Sequence, residues 1–185
     1  SARDGSWDIF VMNADGSDVQ QLTGSAGRDW EPSWSPDGLR LAFASDRDGD
    51  FEVYVIDVPQ GSGDGGNGST NGAAVTGVDA ANGGDQYPEA TQLTDNDLDD
   101  RHPAWTPDGN TIVHLCSESD GRLYRMDVDG TNRTLVCETD WMNSSISFTP
   151  DGVNLTYARR RTVQWPAIYL LSPVGNSRPL PRRWA

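Results

Sequence analysis

The chain has 185 residues, and its 28 acidic residues outweigh 14 arginines, with no lysine, to give a net charge of −14. Such a charge repels nucleic acid and anionic membranes, which excludes both as expected partners. No apolar run approaches the ~20 residues of a membrane-spanning helix, so membrane insertion is not expected either. The 20 glycines and 11 prolines are typical of many short strands and tight turns rather than long helices.

The first predicted elements are two short strands separated by a turn. After a tail at 1–6, residues 8–12 read as a strand, a turn follows at 13–16, and a second strand lies within 19–23. The first strand carries an aromatic ring at Phe10. This pair of strands is half of a unit that returns at full length later in the chain.

The complete unit is organised around the motif Glu-Pro-Ser-Trp-Ser-Pro-Asp-Gly at 31–38. The motif returns at 102–109 and, weakened, at 146–152. Proline presets the first central position of a turn and glycine takes a positive φ, so each copy predicts strand, tight turn and strand. The residues after each glycine alternate apolar and polar, which is typical of a half-buried strand. A third strand follows each time, and its aromatic residue recurs as Phe10, Tyr54, Tyr124 and Tyr169.

These strands and turns repeat in about 43 residues, a period typical of propeller blades. The succession Leu-Thr, Pro-x-Trp-Ser/Thr-Pro-Asp-Gly, Ser-Asp-x-Asp-Gly and Ile-Tyr-x-Met-Asp resembles the WD40-like PD40 repeat of TolB-type propellers. The third copy departs from the pattern with Phe148 in place of tryptophan. The resemblance implies an all-β fold, a β-propeller with four antiparallel strands in each blade and about three and a half blades in this chain.

The repeats predict where the chain divides. The expected parts are an N-terminal tail, a half blade, three blades and a C-terminal tail: 1–6, 7–23, 24–94, 95–136, 137–181 and 182–185. A stretch at 59–90 rich in Gly, Asn and Ser interrupts the first complete blade and is predicted to be a flexible surface loop. A propeller needs roughly 4–8 blades to close, so we expect further blades from a longer chain or from another subunit.

The two tryptophans of the repeated motif are predicted to have a structural role. Trp34 and Trp105 both stand two residues after a proline and directly before the turn. Because blades pack face to face, a large ring at this place should wedge between neighbours, with its indole N–H bonded to an acceptor. The phenyl ring of Phe148 fills a similar volume without that donor, which favours packing over ligand stacking.

A candidate binding surface comes from the positions just before each inner strand. These matched positions hold Trp30, Arg101 and Ser144, and His102 lies beside the second of them. In a ring of blades they should meet on one face and form the contact surface for a protein partner. The other histidine, His114, occupies a strand position that is aromatic in the other blades, so we expect it in the core.

A candidate metal site lies across the hairpin turn of the first complete blade. Asp46, Asp48, Asp50 and Glu52 place a carboxylate at every second residue, and hard oxygen ligands at this spacing could hold Ca²⁺. The segment lacks the later bidentate glutamate of a complete EF-hand loop. Since the PD40-type repeat carries Asp-x-Asp-Gly here as a plain turn, the turn is the favoured interpretation, and no other cofactor is expected. A further acidic stretch at 95–100 is predicted to be a solvated loop.

No catalytic residue is expected in this chain. The sequence has no Gly-x-Ser-x-Gly, no His-Glu-x-x-His and no phosphate-binding glycine loop. The resemblance implies a non-catalytic module that binds other proteins outside the cytoplasm, in the periplasm, at the cell surface or after secretion. The alternative is the propeller domain of a larger enzyme, either a prolyl-oligopeptidase-like or tricorn-like peptidase or a propeller-type lyase.

The aspartate excess has two explanations, adaptation to high salt or a GC-rich genome that favours Arg and Asp. Under the first, molar salt screens the repulsion among surface carboxylates, and the melting temperature should rise by several degrees between dilute buffer and molar NaCl. Thermal melts across that range measure the effect. A flat or falling melting temperature would instead favour the genome explanation.

Overall fold

The computed structural model describes residues 6–59, 87–117, 121–139, 146–159, 167–171 and 177–179. These ranges contain 14 strands and no helix, which confirms the predicted all-β class. A helix long and apolar enough to cross a membrane is accordingly absent from the described ranges. Most of the predicted insertion lies outside them, as does Ser144.

The strands fall into one two-stranded and three four-stranded antiparallel sheets. The half blade holds β1 (Phe10–Val11) and β2 (Gln20–Gln21). The first blade holds β3 (Asp29–Trp34), β4 (Arg40–Ser45), β5 (Glu52–Asp57) and β6 (Ala90–Gln92). The second blade holds β7 (Asp100–Trp105), β8 (Thr111–Cys116), β9 (Arg122–Asp127) and β10 (Thr134–Glu138). The third blade holds β11 (Ser147–Phe148), β12 (Leu155–Arg159), β13 (Ala167–Leu171) and β14 (Ser177–Pro179).

Within each blade, neighbouring strands in the chain are neighbours in the sheet, as the propeller interpretation predicts. The start of one strand and the end of another differ from the limits predicted for the insertion and for the second blade. β6 begins at Ala90, the last residue assigned to the insertion, because its backbone already pairs with Ile56 of β5. β10 runs to Glu138, two residues past the expected end of the second blade, because a bulge after Leu135 lets the strand keep pairing with β9.

The tight turn of the repeated motif forms as predicted. In the first copy, Gly38 has a φ of +71° and its N–H donates to the carbonyl of Ser35 at 2.9 Å. Asp37 also stabilises this turn, because its Oδ1 accepts from the Ser35 hydroxyl at 2.6 Å and from the N–H of Leu39 at 3.0 Å. These hydrogen bonds hold the pKa of Asp37 below its ordinary value. The same bonding returns in both later copies.

Blades pack face to face, so the second strand of a blade is buried on both sides. In β4, Leu41 and Phe43 pack against the half blade through Ile9 and Leu22. Ala42, on the opposite face, packs against Trp105 of the second blade. The alternating sequence pattern after the turn therefore does not mean that one face of the strand is exposed to solvent. In β4 it separates large side chains from small ones on two buried faces.

The two motif tryptophans have different surroundings. Trp105 is 5% exposed and wedges between the first and second blades, as predicted. Among the described residues its indole N–H has no hydrogen-bond acceptor; instead the guanidinium of Arg40 lies 4.7 Å from the ring centroid. Trp34 is 48% exposed, so its predicted burial is wrong. The reason is that β1 and β2 match the outer strands of a blade, and no described inner strand lies against Trp34.

Candidate functional site

The candidate binding face is built on matched bulges in the inner strands of the first and second blades. The pairing of β3 with β4 shifts register after Trp30, and that of β7 with β8 shifts after Arg101. Each bulge contains a non-glycine residue with positive φ, Glu31 at +57° and His102 at +53°. Such a conformation is unfavourable for these residue types and persists only where surrounding contacts impose it.

The contacts that hold the bulges run between the two blades. The Glu31 carboxylate accepts from Arg101 Nη2 at 3.0 Å and from the backbone N–H of His102 at 2.8 Å. Both bonds are charge-assisted, which makes them stronger than neutral hydrogen bonds. One glutamate thus aligns the bulge of one blade with the bulge of the next, and Trp30 and Arg101 come to the same edge.

At that edge, two guanidinium groups flank an indole ring. The Cζ atoms of Arg28 and Arg101 lie 5.1 and 5.3 Å from the Trp30 ring centroid, within cation–π range. Phe51 packs beside the indole at 5.6 Å, and Trp7 meets it edge-on at 5.9 Å. The structure therefore brings together three of the four residues predicted from the sequence, namely Trp30, Arg101 and His102. Trp7, Arg28 and Phe51 extend the face beyond that prediction.

A cavity of about 440 Å³ opens beside this face, between the half blade and β3. Its walls are the side chains and backbone of Trp7, Asp8, Ile9, Phe10, Asp29, Trp30, Glu31 and Pro32. Trp30, one of these lining residues, has a buried Nε1 with no hydrogen-bond partner among the residues placed in the structure. Apolar walls with a few convergent polar groups are typical of sites that take a side chain or segment of a ligand.

The charge of His102 follows from its neighbours. Burial holds the pKa of His102 below its ordinary value, and the Arg101 guanidinium acts in the same direction, while Glu31 opposes both. The imidazole is therefore neutral at pH 7. The positive charge of the face resides on Arg28 and Arg101, each of which is partly exposed and paired with a carboxylate.

Three of the four carboxylates of the calcium hypothesis have different partners, and the fourth, Asp50, has a buried Oδ2 with no hydrogen-bond partner among the described residues. Asp46 binds Arg28 through an ion pair of 2.6 Å, and Asp48 accepts from Gln92 Nε2 at 2.7 Å. Glu52 is 1% exposed and accepts from the N–H of Asn96 at 2.7 Å. Across the described ranges, no group of three or more His, Cys, Asp or Glu side chains is placed to hold a metal ion. Calcium binding by these residues stays a prediction that this geometry does not support.

Glu52 is nevertheless an unusual carboxyl. Burial raises its pKa to about 7, and Asp100 and Asp50 add to the increase. In the part of the chain that the structure describes, its Oε2 has no hydrogen-bond partner. The sequence does not indicate this environment, because Asn96, which donates to Glu52, is 44 residues away along the chain.

The acidic stretch 95–100, expected to be solvated, contains a fully buried aspartate. Asp100 is the first residue of β7 and is 0% exposed. It accepts from Arg133 Nη2 at 3.0 Å and from Asn96 Nδ2 at 2.8 Å, and His114 Nδ1 lies 3.3 Å away. The prediction of a solvated loop is wrong at this position, because these partners make burial of the charge tolerable. His114 lies in the core as predicted.

The first blade repeats this arrangement with other partners. Asp29, at the same place in β3, is 3% exposed and accepts from Ser25, Ser45 and Arg47. The buried aspartates thus fix the start of β3 and of β7, immediately before Trp30 and Arg101. Their role is to position the face rather than to contact a ligand.

The stacked antiparallel blades and this inner-strand face define a β-propeller repeat protein, whose described sheets stay open rather than closing into a ring. Residues 1–86 match the PD40 family model, which is described as the TolB beta propeller domain. The resemblance inferred from the Pro-x-Trp-Ser/Thr-Pro-Asp-Gly motif is confirmed.

Individual proteins of known sequence or structure are also similar to this chain. A TolB homolog from Chlorobium luteolum is 40% identical over 58 residues, which are 31% of this chain and 13% of that protein. The structure of a putative TolB from Agrobacterium tumefaciens superposes with a TM-score of 0.73 at 18% identity, over 96% of this chain and 57% of that chain. A puromycin-hydrolyzing peptidase of Mycobacterium tuberculosis superposes with a TM-score of 0.59 at 13% identity, over 89% of this chain and 22% of that chain.

Because the two solved structures are only 18% and 13% identical to this chain, the superpositions show a shared propeller fold. The chain spans less than half the length of the curated relatives it matches.

Proposed function

We propose that this chain is a non-catalytic, TolB-like propeller module that binds protein partners outside the cytoplasm. The observation that carries the proposal is the edge where Arg28 and Arg101 flank the indole of Trp30. Tryptophan and arginine are enriched among the residues that dominate binding energy at protein interfaces. The resemblance to TolB-type propellers supports both the binding role and the extracytoplasmic location.

The geometry suits a peptide segment rather than a small substrate. The face is partly exposed, and its two guanidinium groups present planar donors beside apolar rings, which matches backbone carbonyls and acidic side chains of a partner. Arg28 and Arg101 are each paired with a carboxylate, so they offer a partner the remaining donors of their guanidinium groups rather than a net positive charge.

A peptide library displayed on phage, selected on the parent chain, tests the face without a known partner. We expect the enriched peptides to bind Arg101→Gln and Trp30→Leu at least about tenfold more weakly, because each change removes a central contact. Leu135→Ser is the matched control, since Leu135 is 48% exposed on the outermost strand of the second blade. Equal affinity for all variants would place the contact surface elsewhere.

A second candidate is the propeller part of a larger peptidase, favoured by the structural match to the mycobacterial enzyme. In that case the catalytic residues lie on a segment outside these 185 residues. Under our proposal the chain cleaves neither aminoacyl p-nitroanilides, which report peptidase activity, nor oligogalacturonate, the substrate named for a lyase of Vibrio parahaemolyticus with a similar fold. Turnover of either substrate by the purified chain would contradict the non-catalytic assignment.

A further inference from the structure

The histidine of the second bulge faces the carboxylate that joins the two bulges. His102 Nδ1 lies 3.3 Å from Glu31 Oε2, the same oxygen that accepts from the His102 backbone N–H at 2.8 Å. The other oxygen of this carboxylate, Oε1, accepts from Arg101 Nη2 at 3.0 Å. Glu31 therefore lies between a permanent cation and a side chain that becomes a second cation when it takes up a proton.

The backbone keeps this carboxylate in place while its surroundings stay accessible. Glu31 and His102 both have a positive φ, and a rotation of Glu31 away from the imidazole would break its bond to the His102 N–H. The side chains are nevertheless in contact with solvent, since 24% of His102, 30% of Arg101 and 20% of Glu31 is exposed. A proton can therefore reach the imidazole, and a partner can reach Arg101, without a rearrangement of the blades.

The electrostatic environment of the imidazole comes from two charged groups. Among the described residues, Glu31 and Arg101 are the groups whose charges shift the pKa of His102. The strands β4, β5 and β8 also lie against β7, and the buried aspartates at the starts of β3 and β7 are bound to partners of their own. The remaining titratable or charged side chains of these three strands are Arg40, Glu52, Tyr54, Asp57, His114 and Cys116.

Protonation of His102 changes the net charge of this group of side chains from zero to +1. With a neutral imidazole, the charge of Glu31 offsets that of Arg101. With an imidazolium, the contact with Glu31 Oε2 becomes an ion pair, and the charge of the guanidinium is no longer offset. The donors of Arg101 that Glu31 leaves free then lie at a locally positive edge, beside the indole of Trp30.

We propose that this edge binds a carboxylate of an acidic partner segment, and that protonation of His102 strengthens the binding. The proposal rests on the protein-binding role proposed above and adds to it the chemistry of the partner and a dependence on pH. The guanidinium of Arg101 presents planar donors that fit a carboxylate, and the rings of Trp30 and Phe51 lie beside it at 5.3 and 4.3 Å.

The direction of the pH dependence follows from burial. Burial holds the pKa of His102 below its ordinary value of 6.5, so the imidazole is neutral at pH 7. A bound carboxylate favours the charged imidazole, so binding is accompanied by the uptake of a proton. The affinity for an acidic segment should therefore rise as the pH falls below neutrality.

The probe is a rhodamine-labelled decapeptide of alternating glutamate and tyrosine, and its control is the corresponding peptide of glutamine and tyrosine. The glutamates titrate near ~4.3, so they stay ionised at about pH 5.5. Fluorescence anisotropy with the full chain, at constant ionic strength, gives the Kd. We expect the affinity for the glutamate peptide to be at least about fivefold higher at about pH 5.5 than at about pH 7.5, and that for the glutamine peptide to change little.

Two substitutions test the origin of this change. His102→Asn takes up no proton and tolerates a positive φ, so its affinity should be the same at both pH values. Glu31→Gln keeps an acceptor for the His102 N–H but removes the charge that offsets Arg101. At about pH 7.5 it should therefore bind the glutamate peptide several-fold more tightly than the parent does. Glu52→Gln is the matched control, because the pKa of Glu52, about 7, also lies in this range, and it should keep the pH dependence of the parent.

Absence of saturable binding at both pH values would overturn the proposal, and so would an equal pH dependence in the parent and His102→Asn. A Glu31→Gln variant that binds no more tightly than the parent near pH 7.5 would also overturn it, as would loss of the pH dependence in Glu52→Gln. The peptide-library test is made at a single pH and asks whether Arg101→Gln and Trp30→Leu lose binding. The two proposals therefore fail separately.

Discussion

Replacing Trp105 by alanine is expected to lower the free energy of unfolding by ~3–5 kcal/mol. The side chain is 5% exposed and fills the space between two blades, among Ala42, Val53, Val55 and Met126. Its removal leaves a cavity that the paired strands on either side cannot collapse to fill. It also uncovers the guanidinium of Arg40, which lies over the ring. Urea-induced unfolding followed by circular dichroism measures the change.

Two control variants distinguish the effect of lost packing at Trp105 from the effect of losing a tryptophan as such. Trp105→Phe should cost less, about 1–2 kcal/mol, because it keeps part of the packing and removes an indole N–H that has no acceptor among the described residues, but leaves some space opposite Ala42 unfilled. Trp34→Ala, at the same motif position but 48% exposed, should also cost about 1 kcal/mol or less. If Trp34→Ala unfolded the chain while Trp105→Ala did not, the assignment of the two faces would be reversed.

The contribution of Glu52 to the stability of the chain should fall as the pH rises from about 5 to 8. Burial raises the pKa of Glu52 from 4.5 to about 7 in the folded state. Between these two values the folded state keeps a proton that the unfolded chain has released, so unfolding becomes easier with increasing pH. The contribution of this group is on the order of 3 kcal/mol, present in full below pH 4.5 and lost above pH 7.

Glu52→Gln isolates this contribution. The amide keeps an acceptor for the N–H of Asn96, which Glu52 Oε1 binds at 2.7 Å, and it carries no charge at any pH. We expect the variant to match the parent near pH 5 and to exceed its unfolding free energy at pH 8. Denaturant titrations at both values give the difference between the two proteins, which removes the effect of all other titrating groups. An equal dependence on pH in both would show that Glu52 does not titrate as described.

The repeated motif explains why the fold could be predicted from the sequence. Proline, aspartate and glycine at 36–38 define a turn by their own backbone preferences, and the structure has that turn with Gly38 at a φ of +71°. The exposure of Trp34 could not be read in the same way. It depends on which strands lie opposite, and the motif around Trp34 is nearly the same as the motif around the buried Trp105.

The candidate face was predicted only in part. Matched repeat positions identified Trp30 and Arg101, because equivalent places in successive blades meet on one side of a propeller. The flanking guanidinium of Arg28 was not identified, because the bulge with Glu31 in a left-handed conformation decides which way the neighbouring side chains turn. Likewise, the burial of Asp100 depends on Arg133, which is 33 residues away. Pairing over such a distance leaves no local pattern in the sequence.

The unequal volumes at the blade interfaces have a consequence for how such a chain finds its native order. Between the first and second blades the large Trp105 packs against the small Ala42, whereas between the second and third the smaller Phe148 packs in a cluster with the larger Val113. Repeats of similar sequence are prone to misassembly, in which a blade pairs with the wrong neighbour during folding. Here an exchange would set Phe148 against Ala42 and leave a void, or set Trp105 against Val113 and force a clash. Each of these interfaces therefore favours its own pair of neighbouring blades. Blades of similar sequence are for this reason not interchangeable in the fold.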